Sequence, residues 1–141
     1  MKVVILCGGK GTRISEYSSL IPKPMLKIKN KPILWHIMNI YSKYGYNDFI
    51  LPLGYKGEVI KEYFLNYKKL SNNFRLELGS GKVDFLNKNN QDWKITFIDT
   101  GDNTLTGERL LKIKKYINED SFLLTYGDGI SDINISNLVK F

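Results

Sequence analysis

The stretch Lys2-Val3-Val4-Ile5-Leu6-Cys7-Gly8-Gly9-Lys10-Gly11-Thr12-Arg13 sets an uninterrupted apolar, β-branched run against glycines and fixed positive charge. A short apolar run without polar alternation predicts a strand buried on both faces, as in a parallel sheet. The glycines that follow let the backbone approach a ligand closely and turn its amides toward phosphate oxygens. Arg13 adds a planar, permanently charged fork suited to phosphate. Two commoner phosphate motifs do not fit. A Walker loop needs Ser or Thr after its Gly-Lys, and Lys10 is followed by Gly11. A dinucleotide fingerprint begun at Gly9 and Gly11 needs a third glycine where Ile14 stands. The glycine-rich turn is therefore either a phosphate cradle or an ordinary surface loop, and Arg13 with the preceding strand favours the cradle.

Outward from that strand, Gly8 to Pro24 has little apolar periodicity, the mark of a functional or disordered loop. Pro32 then opens a helix with Ile33, Leu34, Ile37, Met38 and Tyr41 on one face, stopped near Gly45. Asp48 to Leu53 predicts a second strand, with Pro52 tolerable only toward its end. A second helix carries Val59, Ile60, Tyr63, Phe64 and Tyr67 on one face. Phe74 to Leu78 and Lys82 to Leu86 flank Gly79-Ser80-Gly81 as a hairpin. Trp93 to Asp99 is read as a strand, Gly107 to Ile117 as a helix, and Ser121 to Tyr126 as a strand. Ile135 to Phe141 looks like a helix beginning. Strand–helix alternation predicts an α/β fold with a parallel sheet and right-handed crossovers. A last crossover helix with no following strand suggests one domain, 1–141, cut inside its fold.

Composition bounds the function. The chain has 141 residues, 43% hydrophobic and 25% charged, with nine Tyr and seven Phe, which argues against disorder. No apolar run is long enough to span a bilayer and no signal peptide is evident, so a cytoplasmic protein without a membrane partner is expected. A single cysteine excludes an internal disulfide. The net charge of +7 is uneven: residues 1–70 hold 12 Lys/Arg against 4 Asp/Glu, and residues 71–141 hold 9 against 10. A basic first half suits a polyanion, whether nucleic acid, acidic membrane or small polyphosphate, or is simply a solvated lysine surface. No recognition-helix or aromatic RNA-binding signature supports nucleic acid.

Three further constellations carry chemistry. In Ile21-Pro22-Lys23-Pro24-Met25 the prolines stiffen the backbone on both sides of Lys23, which would hold its ammonium at one point; a lysine in a proline-rich turn is the plainer reading. Thr100-Gly101-Asp102-Asn103-Thr104-Leu105-Thr106-Gly107-Glu108-Arg109 joins a strand to a helix. It reads equally as a loop that contacts a base or as capping, with Thr106 the N-cap and Arg109 on the helix face. Asp128, between Gly127 and Gly129 at a strand end, is either a turn aspartate or a ligand for a hard ion such as Mg²⁺, and its position favours the metal. Cys7 is expected to be a small buried group, and His36, the only histidine, a packed helix residue.

Taken together, these stretches resemble the sugar-1-phosphate nucleotidyltransferase family over nearly the whole chain. Gly8-Gly9-x-Gly11-Thr12-Arg13 and Pro22-Lys23-Pro24-Met25 are general to that family. Lys31-Pro32-Ile33-Leu34-Trp35-His36-Ile37, Gly54-Tyr55-Lys56-Gly57, Asp99-Thr100-Gly101-Asp102, Leu105-Thr106-Gly107 and Thr125-Tyr126-Gly127-Asp128-Gly129 are similar to its branch acting on CTP and glucose 1-phosphate. The resemblance implies a Rossmann-like αβα sandwich around a mostly parallel, mixed sheet, incomplete at the C-terminus. It implies that Leu6, Cys7, Gly8, Gly9, Lys10, Gly11, Thr12 and Arg13 cradle CTP, with Cys7 where alanine is usual. It implies that Lys23 contacts the phosphates, with Arg13 and Lys23 the catalytic cations. Thr104 and Arg109 would help hold the nucleotide, and Asp128 would hold Mg²⁺. A second metal-binding aspartate and much of the sugar pocket would lie beyond Phe141. CTP and glucose 1-phosphate are the expected partners, in a homo-oligomer without nucleic acid.

Overall fold

The computed structural model describes residues 1–9, 20–87 and 91–141. Strand β1 (Val3–Leu6) is buried along its whole length, as its apolar run requires. It pairs in parallel with β4 (Asp48–Leu53) on one side and β8 (Leu123–Tyr126) on the other. β7 (Lys94–Asp99) pairs in parallel with β4, so the sheet order is β7-β4-β1-β8. Two antiparallel ribbons lie apart from it: β2–β3 (Lys27–Ile28 and Lys31–Pro32) and β5–β6 (Phe74–Leu76 and Val83–Phe85). Among the described residues parallel pairing thus fills the central sheet, and antiparallel pairing is found in these ribbons. The β5–β6 ribbon is the hairpin expected from Gly79-Ser80-Gly81; Gly81 takes the left-handed φ of +75°. The β2–β3 turn was not legible, since Lys29 and Asn30, both at positive φ, lie in a lysine-rich run.

Alternation along β1 assigns the two faces. Val3, Ile5 and Cys7 share one core with Leu34, Ile37, Met38 and Tyr41 of α1 (Ile33–Lys43) and Ile60 of α2 (Gly57–Leu65). Val4 and Ile50 meet Ile113 of α4 (Thr106–Ile113) on the opposite face, with Leu110 packed alongside. The result is an αβα sandwich of Rossmann type, as expected. Ile135 of α5 (Ile135–Lys140) returns to the first face. The second predicted helix breaks at Asn66, whose Nδ2 donates to Glu62 O at 2.9 Å, and a short α3 (Tyr67–Ser71) follows. Pro52 is the penultimate residue of β4, where its missing N–H is tolerated. Among the described residues no helix is long and apolar enough to cross a membrane.

The order of winding positions the site. From β1 the chain moves outward to β4 and then β7. It returns through α4, on the other face, to set β8 against the far edge of β1. The direction of winding therefore reverses between β1 and β8. Ligands of open α/β sheets bind outside the carboxyl ends of the strands at such a reversal.

Candidate functional site

At that reversal lies a cleft of ≈ 240 Å³. Leu6, Cys7, Gly8 and Gly9 line it from the end of β1, and Tyr126 and Asp128 from the end of β8. Lys23 and Pro24 close one side; Thr104, Leu105, Thr106 and Arg109 close another. Every site residue expected from the sequence that falls among the described residues is in this one cleft. Lys10, Gly11, Thr12 and Arg13 lie outside the described residues.

Lys23 begins a 3₁₀ turn, Lys23–Met25, with Pro22 extended before it. Pro24 and Met25 are buried, which anchors the turn and leaves the Lys23 stem directed into the cleft. Its Nζ stands 3.2 Å from Asp128 Oδ2, the two side chains being 26% and 41% exposed. An ion pair this open to water contributes about 0–1 kcal/mol, so it exchanges readily for other partners. Gly127 makes the meeting possible. Its N–H donates to Leu6 O at 2.9 Å, and a Cβ there would stand 2.9 Å from Cys7 Sγ, 3.1 Å from Leu6 O and 3.3 Å from Pro24 Cγ.

Arg109 is neither on an open helix face nor free in the cleft. Its Nη2 donates to Gly8 O at 3.0 Å, and its Nη1 to Gly101 O and Thr100 Oγ1, each at 2.6 Å. Burial pulls the guanidinium pKa down, while the carboxylates of Asp102 and Asp99 oppose the shift. Thr104 Oγ1 donates to Thr100 O, closing the loop on itself. The Thr106 N-cap reading is overturned: Leu105 holds that position, and its N–H donates to Glu108 Oε2 at 3.1 Å, so the helix is capped by its own third residue.

The two plainer readings hold. Cys7 is buried, its Sγ donating to Ile5 O at 3.3 Å, and burial together with the Asp128 charge pushes its thiol pKa up. His36 Nε2 lies 2.7 Å from Ile28 O, with its ring edge-on to Trp35. The sequence marked the stretches that hold Thr100 and Gly54 but gave neither residue its role: Thr100 is a buried hub, and the place of Gly54 beside the guanidinium has no local signature. Among the described residues no three His, Cys, Asp or Glu cluster as a ready-made metal cage. Among the described residues Asp128 alone lines the cleft with a carboxylate. That suits Mg²⁺, which takes one or two carboxylates and completes its shell with phosphate and water.

A doubly wound α/β sheet with a glycine-lined cleft at its winding reversal, bearing a lysine and a carboxylate, defines a Rossmann-like α/β protein with its cleft where such sheets bind ligands. The family model described as nucleotidyl transferase matches residues 2–141, and the chain belongs to that family. Over its full length it is 56% identical to the probable glucose-1-phosphate cytidylyltransferase of Bacillus subtilis. It is 46% identical to the glucose-1-phosphate cytidylyltransferase of Salmonella typhimurium, again over its whole length. In both cases it aligns with 55% of the relative, so the chain spans about half the length of the curated relatives it matches. Among solved structures, HddC from Yersinia pseudotuberculosis complexed with GMP-PN has a TM-score of 0.73 and 28% identity, covering 99% of this chain and 52% of that one.

Proposed function

We propose that residues 1–141 form the nucleotide-binding part of a domain that joins CTP to glucose 1-phosphate, giving CDP-glucose and pyrophosphate. The convergence of motifs up to 122 residues apart, Leu6 to Asp128, on one cleft supports this reading best. The named activities of the two cytidylyltransferase relatives supply the substrates.

In this reading a phosphate oxygen of glucose 1-phosphate attacks the α-phosphorus of CTP in line. The new P–O bond forms as the bond to pyrophosphate breaks. The attacking oxygen is already anionic, so no general base is required, and positioning with charge neutralisation does the catalysis. Gly8 and Gly9 admit the nucleotide close to the backbone, with Leu6, Cys7, Lys10, Gly11 and Thr12 completing the cradle and Thr104 and Arg109 serving the opposite wall. Arg13 and Lys23 neutralise the phosphates; Lys23 exchanges its open pair with Asp128 for phosphate oxygen. Asp128 would hold Mg²⁺, which when bound supplies further neutralisation of phosphate charge.

Calorimetric titration of the chain with CTP, UTP, dTTP and GTP in Mg²⁺ tests the reading. Selective CTP binding is expected, weakened about tenfold or more by Arg13→Ala, the loss of one charge-assisted contact. Including GTP is pointed, because HddC is complexed with GMP-PN. Selective GTP binding, or none by any triphosphate, would overturn CTP as the ligand of this chain. A second reading, CTP binding without turnover, is favoured by the single carboxylate that lines the cleft among the described residues. It predicts no pyrophosphate release when glucose 1-phosphate is added.

A further inference from the structure

We infer that Arg109 acts as a positioning residue, clamping the loops after three strands from beneath the cleft, and that Gly54, outside the cleft, is part of the same device. The inference rests on the reading of the cleft as a nucleotide site. It changes how Arg109 serves that site, from ligand to support.

Arg109 is 4% exposed, and both terminal nitrogens of its guanidinium are spent on the protein. Gly8 O belongs to the loop after β1, and Gly101 O and Thr100 Oγ1 to the loop after β7. Leu53 O, at the end of β4, lies 3.4 Å from Nη1 and also accepts from Thr100 Oγ1 at 2.8 Å. A phosphate could take this fork only by stripping buried carbonyls of their donor, which leaves unsatisfied groups behind.

Two glycines, Gly8 and Gly54, make room for the guanidinium. A Cβ on Gly8 would land on its carbon. One on Gly54 would stand 2.7 Å from Nη1, 2.7 Å from Gly8 O and 2.8 Å from Gly101 O. Gly101 holds φ at +92°. Gly8 O also accepts from the Tyr55 N–H at 3.4 Å, so the loops after β1 and β4 are tied twice. In a trans peptide the N–H points opposite to the C=O. Pinning Gly8 O therefore fixes the Gly9 N–H facing away from the guanidinium, in a segment whose two glycines both line the cleft.

Three variants of the full chain test this: Arg109→Lys, Gly54→Ala and Thr100→Val. Lysine keeps the charge but has no planar fork to span Gly8 O and Gly101 O. Two measurements are made, amide hydrogen exchange without nucleotide and calorimetric CTP affinity. In the nucleotide-free chain each variant is expected to speed exchange of residues 8–9, 54–55 and 100–102 by about tenfold or more, relative to the central strands. CTP affinity is expected to fall by a similar factor, including for Gly54→Ala, which changes nothing that lines the cleft. Arg109→Lys losing CTP affinity with exchange unchanged would make Arg109 a direct ligand and overturn the clamp. Gly54→Ala with wild-type exchange and affinity would overturn it as well. If either variant fails to fold, Thr100→Val decides, since it keeps the side-chain shape and removes only the hydroxyl bridge. If the unaltered chain binds no CTP, the cleft reading fails separately, and exchange in the nucleotide-free variants still judges the clamp.

Discussion

Cys7 shows how far one buried atom determines behaviour in solution. Cys7 is buried at the wall of the cleft, and burial, then the Asp128 charge, disfavours the thiolate. Unfolded, the thiol ionises near about pH 8.5. The folded pKa is thus above the unfolded one, and above that pH the unfolded chain sheds a proton that the native chain keeps. The stability this provides is complete below about pH 8.5 and declines by up to ~1.4 kcal/mol per pH unit above it. Urea denaturation from pH 7 to 10 should show the parent losing stability more steeply than Cys7→Ala; parallel profiles would contradict this. Iodoacetamide should label Cys7 slowly until the chain is unfolded. Burial of Cys7 was legible from its place at the end of an apolar strand. The bonds of Arg109 were not, because Gly8 and Leu53 are brought to it from 101 and 56 residues away.

At the scale of elements, packing and site geometry can be separated. Leu34 on α1 is wholly buried in the core shared with β1 and does not line the cleft. Leu34→Ala should cost about 2–5 kcal/mol of stability and leave CTP affinity of the folded chain unchanged. Gly127 ends β8 under the sulfur of Cys7 and the ring of Pro24. Gly127→Ala should cost about 1–3 kcal/mol by overpacking and also weaken CTP binding, because the turn that carries Asp128 must move away from Lys23. Denaturation midpoints and titrations on both variants check the contrast; a Gly127→Ala chain with unaltered affinity would detach this turn from the site. The helices were legible where apolar spacing was strong, as in α1. Their ends were decided by local bonds that periodicity does not encode: Asn66 on Glu62 O, and Leu105 N–H on Glu108.

For the whole molecule, the sheet order concentrates the chemistry at one seam and leaves apolar surface at one edge. β8 pairs only with β1 among the described residues, and Leu124 and Tyr126 on it are 46% and 62% exposed. An open strand edge with apolar side chains promotes pairing between chains. Sedimentation velocity should show self-association that grows with concentration and is reduced by Leu124→Lys; a concentration-independent monomer for the parent chain would refute it. The sequence by itself determined the α/β class, nearly every strand and helix, the burial of Cys7, and the residue types able to meet phosphate and metal. Those properties follow from local spacing and side-chain chemistry, which the linear order of residues already contains. Only the tertiary structure decided that the motifs share one cleft, that Lys23 faces Asp128, and that Arg109 turns its fork onto backbone oxygens framed by Gly8, Gly54 and Gly101. Those outcomes depend on the winding of the sheet and on close approach between residues far apart in the chain, which local spacing does not encode.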